Sequence, residues 1–213
     1  MTENSGGTFQ TPILSEDMSV VSESVGEPYQ GVEAKILDKD GNVVPKGTIG
    51  ELVTKGYFLF NGYVNDDEKT KESFTEDGFF KTGDLALLRE DGMLKITGRE
   101  KDLIIRGGEN IQPTEIEDYI NEMPAVKASF VIGVPSKRLD EEVAVYIQLN
   151  EGASITIDDV KAHCKNGLAR FKHPKYIKFE DTYPLTTTGK VQKFLLQKQA
   201  LEDFPELKDE IQE

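Results

Sequence analysis

The chain has 213 residues, 39 acidic against 25 basic side chains, and a formal charge of −14. That length holds one large or two modest domains, and the acidic balance argues against nucleic acid or an anionic membrane as the main partner, since both reward basic patches. The single cysteine, Cys164, excludes an internal disulfide and a cysteine-cluster metal site, and no apolar run reaches the ~18 residues a membrane span requires.

The first residues, MTENSGGTFQTP, have neither a secretory nor a transit-peptide layout, and the segment before Gly31 has so little periodicity that it reads as a loose arm. From Gly31 to about Gly98 the pattern is short strands and turns. GVEAKILD alternates Val32, Ala34 and Ile36 against Glu33 and Lys35 and predicts a half-buried strand, turning at DKDGN. LALLREDGMLKITG predicts a hairpin around Asp91-Gly92.

After GREKD the texture changes. Gln112–Met123 predicts a helix with Pro113 in its first turn, Ile116, Ile120 and Met123 on one face, and Pro124 as the stop. Two alternating strands follow: Val126, Ala128, Phe130 and Ile132 line one, and Val143, Val145, Ile147 and Leu149 line the other. Thr156 and Asp159 predict a capping box opening a helix whose apolar face carries Ile157, Val160, Cys164, Leu168 and Phe171. YIKFE predicts a short strand and Val191–Leu201 a last helix, with an acidic, solvated tail over Leu201–Glu213. The expectation is an α+β fold: a β-rich domain over residues 1–100, then a small α+β domain over 101–213.

Three stretches are richer than a scaffold needs. In DGFFKTGD, Asp84 follows Thr-Gly at a strand entrance, where a carboxylate could accept from both hydroxyls of a ribose; alone, it also reads as a turn residue. GREKDLIIRGGENIQP places paired glycines ahead of a helix start, where backbone can approach a ligand closely; alone, it also reads as a charged strand with a glycine hairpin. PLTTTGKVQK presents Lys190, a compact, flexible charge suited to a carboxylate meeting a phosphate, or simply a solvated lysine.

In this order and spacing, TGD, GREKD with GGENI, and PLTTTGKVQK resemble the late motifs of the adenylate-forming superfamily of acyl-CoA synthetases, luciferases and peptide-synthetase adenylation domains. TENSGGTF, ESVGEPYQGVEAKI, IIRGGENI and FKHPKYIKF resemble most closely its mitochondrial medium-chain fatty acyl-CoA ligases, the acyl-CoA synthetase family member two type. The resemblance implies a fatty acid activated by ATP with Mg²⁺ to an acyl-adenylate, then transferred to CoA as a small C-terminal lid domain swings. By resemblance Lys190 is the adenylation lysine, Asp84 and Arg99 hold the nucleotide, and Lys101 is the hinge. Gly107, Gly108, Glu109 and Asn110 form the pantetheine loop. MTEN matches the end of a motif in which Thr2 contacts the adenylate phosphate and Glu3 is the magnesium carboxylate.

The first domain would be the end of a larger one, with a barrel-like subdomain. The family's phosphate loop, adenine-binding segments and most of the acyl pocket would lie ahead of Met1, so the isolated chain is expected to be inactive. The alternative is a non-catalytic binding module, docking to a partner that supplies the missing N-terminal domain in trans. Location would be mitochondrial by resemblance, or cytoplasmic for the chain as it stands. Asp140 stands where the family commonly has glycine. The stretch Lys161–Lys178, with six basic residues and no acid, is a candidate surface for CoA phosphates or a solvated face.

Overall fold

The computed structural model describes residues 1–12 and 17–210, which divide into two compact units, Met1–Lys101 and Asp102–Glu213. The mixed α+β class is as expected.

In the first unit, β1 (Phe9–Gln10) pairs antiparallel with β2 (Glu27–Pro28), and helix α1 (Met18–Glu23) lies between them in sequence. The segment before Gly31 is therefore not a loose arm: Phe9 packs on the core and Val20 is buried. Strands β3 (Glu33–Leu37), β4 (Gly50–Lys55), β5 (Phe80–Leu88) and β6 (Leu94–Arg99) form an antiparallel sheet in that order, with helix α2 (Asp67–Glu72) between β4 and β5. Asp66 caps α2 by accepting from the Lys69 N–H at 3.0 Å. Ile36, Leu52, Ala86 and Leu94 supply the core. The sheet is open, and the barrel-like expectation is corrected: among the described residues four strands pair in line and β3 does not meet β6. Thr82-Gly83-Asp84 lies inside β5 rather than at its entrance, because the Thr82 hydroxyl donates to the Leu52 carbonyl at 2.7 Å and so can be buried.

The second unit opens with a hairpin, β7 (Ile104–Arg106) and β8 (Glu109–Ile111), and continues with α3 (Pro113–Asn121), which has proline in its first turn and ends before Pro124. Strands β9 (Val126–Ser136) and β10 (Asp140–Leu149) follow, then α4 (Ile157–Gly167), β11 (Tyr176–Phe179) and α5 (Lys193–Asp203). Thr156 and Asp159 close the predicted capping box on α4. β10 runs antiparallel to β9, parallel to β11, and meets β7 where Asp140 faces Arg106.

This sheet is covered on both faces. Ile116 and Ile120 of α3 and Val160 and Cys164 of α4 pack on Val131, Val143, Val145 and Ile147. Leu196 and Ala200 of α5, with Leu207, pack on Ile132, Val134, Ala144 and Tyr146. Val126 and Ile132 also fall on opposite faces. Gln148 pairs with Ala128 and Leu149 with Val126, so Lys127 is an extra residue, and the bulge turns Val126 to the α3 side.

The acidic tail, as far as residue 210, is anchored rather than solvated. Leu207 is fully buried, and Asp203 accepts from the Tyr146 hydroxyl at 2.9 Å and from Lys178 at 2.7 Å. The tail's last three residues lie outside the described ones.

Candidate functional site

The first unit carries a cleft of about 510 Å³ whose walls include Thr2, Glu3, Glu51, Tyr63, Lys69, Gly83 and Arg99. Segments distant in sequence meet there because the N-terminal 3₁₀ turn Thr2–Asn4 is tied to the chain before α2: the Phe60 N–H donates to the Glu3 carbonyl at 2.9 Å. The Tyr63 hydroxyl donates to Glu3 Oε1 at 3.2 Å. Burial, and then the Glu3 carboxylate, hold the Tyr63 phenol above its ordinary value, so it stays a donor at neutral pH.

Arg99 and Asp84 are directly opposite on β6 and β5, and Arg99 Nε lies 3.0 Å from Asp84 Oδ1. Asp84 is about three-quarters buried, and its N–H donates to the Thr82 hydroxyl at 3.1 Å. Thus Thr2, Glu3 and Arg99 line one cleft, and Asp84 joins it through its ion pair. Glu51 is a cleft residue that the sequence reading missed. It accepts from the Gly83 N–H at 3.4 Å, and burial, reinforced by Glu100, raises its carboxyl above the usual range. ELVTK carries no signal for that role beyond strand alternation; Tyr63 and Lys69 were equally unmarked.

The donor set suits a hard cation that keeps phosphate oxygens and water as its other ligands, since Mg²⁺ is commonly held by one or two carboxylates plus substrate phosphates. Glu3 supplies such a carboxylate. Among the described residues no cluster of three or more His, Cys, Asp or Glu forms a cage for a metal.

Lys101 is exposed, in the 3₁₀ turn Glu100–Asp102, and is the last residue of the first unit.

In the second unit, Gly107 and Gly108 form the two-residue turn between β7 and β8 with φ of 58° and 86°, the left-handed pair that a tight hairpin requires. The Gly107 N–H donates to the Leu139 carbonyl at 2.8 Å, and a Cβ on Gly107 would lie 3.1 Å from Leu139 Cδ2. The β9–β10 tip also carries Glu141, which accepts from the Ile105 N–H at 2.7 Å; burial and Asp140 raise its carboxyl. Asp140 occupies the glycine position of the resemblance with φ 64°, in the left-handed region. Glu109 and Asn110 are exposed on β8.

Lys190 closes a second turn. The Thr186 N–H donates to the Lys190 carbonyl at 2.8 Å, the Gly189 N–H to the Thr186 carbonyl at 2.9 Å, and the Lys190 N–H to the Thr186 hydroxyl at 3.0 Å. A bridge between Leu185 and Val191 zips the base. The backbone is fixed and the lysine side chain exposed, with no carboxylate of its own unit within ion-pair distance among the described residues.

Half of the basic stretch is already paired. Lys172 bonds Glu115, Lys178 bonds Glu180 and Asp203, and Lys175 lies 4.0 Å from both Glu142 and Glu210. His163 and His173 reach the Tyr119 and Leu168 carbonyls, and Cys164 is a buried thiol pushed up to about 11, a poor nucleophile.

The family described as AMP-binding enzyme matches residues 1–64, and the AMP-binding enzyme C-terminal domain matches residues 115–190. The chain is 45% identical over 197 residues to the mitochondrial medium-chain acyl-CoA ligase ACSF2 of Danio rerio, covering 92% of this chain and 32% of that one. It resembles ATP-bound MatB from Rhodopseudomonas palustris with a TM-score of 0.81 and 42% identity, over 85% of this chain and 36% of that one. It resembles o-succinylbenzoate CoA synthetase MenE from Bacillus subtilis, in complex with its acyl-adenylate intermediate, with a TM-score of 0.81 and 32% identity, over 93% and 39% of the two chains. The chain spans about a third of the length of the curated relatives it matches. Motifs, fold and relatives agree: the chain belongs to the adenylate-forming enzyme family, and its curated relatives are acyl-CoA ligases.

Proposed function

We propose that this chain is the C-terminal portion of an ATP-dependent medium-chain fatty acid–CoA ligase. The observation that carries the proposal is the first-unit cleft, where Thr2, Glu3 and Arg99, from segments far apart in sequence, meet beside the Arg99–Asp84 pair. In this reading Asp84 accepts from the ribose hydroxyls, Arg99 holds Asp84 and meets the nucleotide, and the Thr2 hydroxyl donates to the α-phosphate. Glu3 would hold the magnesium ion, which when bound neutralises phosphate charge. Lys190 spans the fatty-acid carboxylate and the α-phosphate as the acyl-adenylate forms and pyrophosphate leaves. A donor aimed at charge developing in the transition state is worth roughly 10²–10³ in rate. Lys101 is the hinge, a residue that works by absorbing φ/ψ change rather than by touching substrate. The turn Gly107-Gly108, flanked by Glu109 and Asn110, lines the approach of CoA's pantetheine arm, where the absence of Cβ atoms lets backbone come close.

The phosphate loop and acyl pocket are assigned to the two-thirds of the relatives' length that this chain does not span, and the proposed location is mitochondrial, as in the relative's name. The test joins the N-terminal part of the Danio rerio relative ahead of Met1 and measures pyrophosphate release with ATP, Mg²⁺ and octanoate. Turnover by the chimera and none by the 213-residue chain is the expected result. Robust turnover by the chain alone would overturn the assignment of the missing parts. Turnover only when the N-terminal part is added as a separate polypeptide would favour a docking module.

A further inference from the structure

We propose that Tyr63 is a positioning residue that aims the Glu3 carboxylate, an inference that rests on reading Glu3 as the cation ligand of the cleft. Glu3 is gripped at two points by one short segment: its backbone carbonyl accepts from the Phe60 N–H at 2.9 Å, and its Oε1 accepts from the Tyr63 hydroxyl at 3.2 Å. Glu3 Oε2 has no donor among the described residues. A flexible glutamate is thereby left with one oxygen engaged and one available. That division suits a ligand that must present a single oxygen to a hard cation rather than rotate freely.

Tyr63 is itself immobilised. Its ring meets Phe60 edge-on with centroids 4.9 Å apart, and the Lys69 ammonium lies 4.3 Å from its ring centre. Its N–H donates to the Thr70 hydroxyl at 2.8 Å, and that hydroxyl donates in turn to the Asp66 carbonyl at 2.8 Å. Helix α2, capped by Asp66, thus holds both the backbone and the ring of Tyr63, and Tyr63 holds Glu3. Tyr63 and Glu3 both line the cleft, so the device faces the space a nucleotide–metal complex would fill. Groups that fix a metal ligand from behind commonly change metal affinity 10–100-fold when removed.

The experiment uses the chimera described above, ¹³C,¹⁵N-labelled in the segment that begins at Met1, titrated with the Mn²⁺–ATP complex. Paramagnetic broadening of the Thr2, Glu3 and Asn4 amides is the readout, and the Glu3 side-chain carboxyl ¹³C shift is recorded without metal. The unchanged chimera should broaden saturably. Tyr63→Phe should raise the midpoint about tenfold or more and should move the metal-free Glu3 shift, while amide dispersion elsewhere stays the same. If Tyr63→Phe does not fold, Thr70→Ala, which removes the acceptor of the Tyr63 N–H and the donor to the Asp66 carbonyl, should raise the midpoint in the same direction. A midpoint and Glu3 shift unchanged in Tyr63→Phe would overturn the positioning role and leave Glu3 as a ligand. A Glu3→Gln chimera that titrates like the unchanged one, or an unchanged chimera that releases pyrophosphate but shows no saturable broadening, would overturn the ligand assignment and the positioning role with it.

Discussion

Asp84 and Lys190, the central polar residues of the two units, are presented in opposite ways. Asp84 sits in the middle of a strand, largely buried and tied side chain to side chain to Arg99 on the next strand. Lys190 sits on an exposed turn whose hydrogen bonds fix its backbone and leave its side chain to reach outward. Under the proposed roles, the contrast suits a nucleotide-holding group that is in place when nucleotide arrives, set against a lysine that reaches into charge developing during reaction. A strand fixes the first by register, and a tight turn fixes the second through its backbone and leaves its ammonium donors unused among the described residues.

If that contrast holds, substitutions should separate activity from stability differently at the two places. The largest effect is expected for Lys190→Ala in the chimera, with pyrophosphate release falling roughly 10²–10³-fold and the melting temperature unchanged. Asp84→Asn should come next, read as a higher KM for ATP. Its cost in stability should stay within about 1 kcal/mol, because half-exposed Arg99 makes an ion pair of the surface kind.

The glycine turn should respond unequally. Gly108→Ala meets open space and should cost only the left-handed backbone penalty of about 1–2 kcal/mol. Gly107→Ala adds the approach to Leu139 and should cost more, and Asp140→Gly should stabilise by releasing a non-glycine residue from positive φ. Urea midpoints measure all three.

The smallest effects are pH-linked and opposite in sign. Asp77, bonded to Lys35 at 2.7 Å, has its carboxyl held at about 2, below its unfolded value. It therefore adds stability above the ordinary carboxylate range, and that contribution is lost as pH falls through about 2. Glu141, raised by burial, favours the folded state below its unfolded value and loses that contribution as pH rises through its folded one. Asp77→Asn should thus lower the melting temperature at pH 7, with the difference shrinking as pH falls towards about 2. Glu141→Gln, which keeps an acceptor for Ile105, should raise it at pH 7.

Local chemistry was legible in the sequence where one element decides it. The Thr156–Asp159 capping box, Pro113 at a helix start and the glycine hairpin each depend on residues within a turn of one another. What depends on long-range register was not legible. The bulge at Lys127 reverses Val126, and α5 closes the second face of the sheet with little beyond Leu196 and Ala200. The acidic composition of the tail concealed Leu207 and the Asp203 acceptor. At the cleft, the motifs marked Thr2, Glu3, Asp84 and Arg99. Tyr63 and Glu51 were hidden, since a tyrosine in FNGYV and a glutamate in ELVTK gain their partners only when the fold brings residues 60 and 32 positions away against them.

The most direct measurement follows the two half-reactions of the chimera separately, with Lys190 unchanged and replaced by alanine. ATP–pyrophosphate exchange with octanoate reports adenylation, and octanoyl-CoA formation from supplied octanoyl-adenylate reports thioester transfer. The assignment of Lys190 to adenylation predicts that exchange falls roughly 10²–10³-fold while thioester transfer persists. Equal loss of both, or exchange that survives Lys190→Ala, would contradict it.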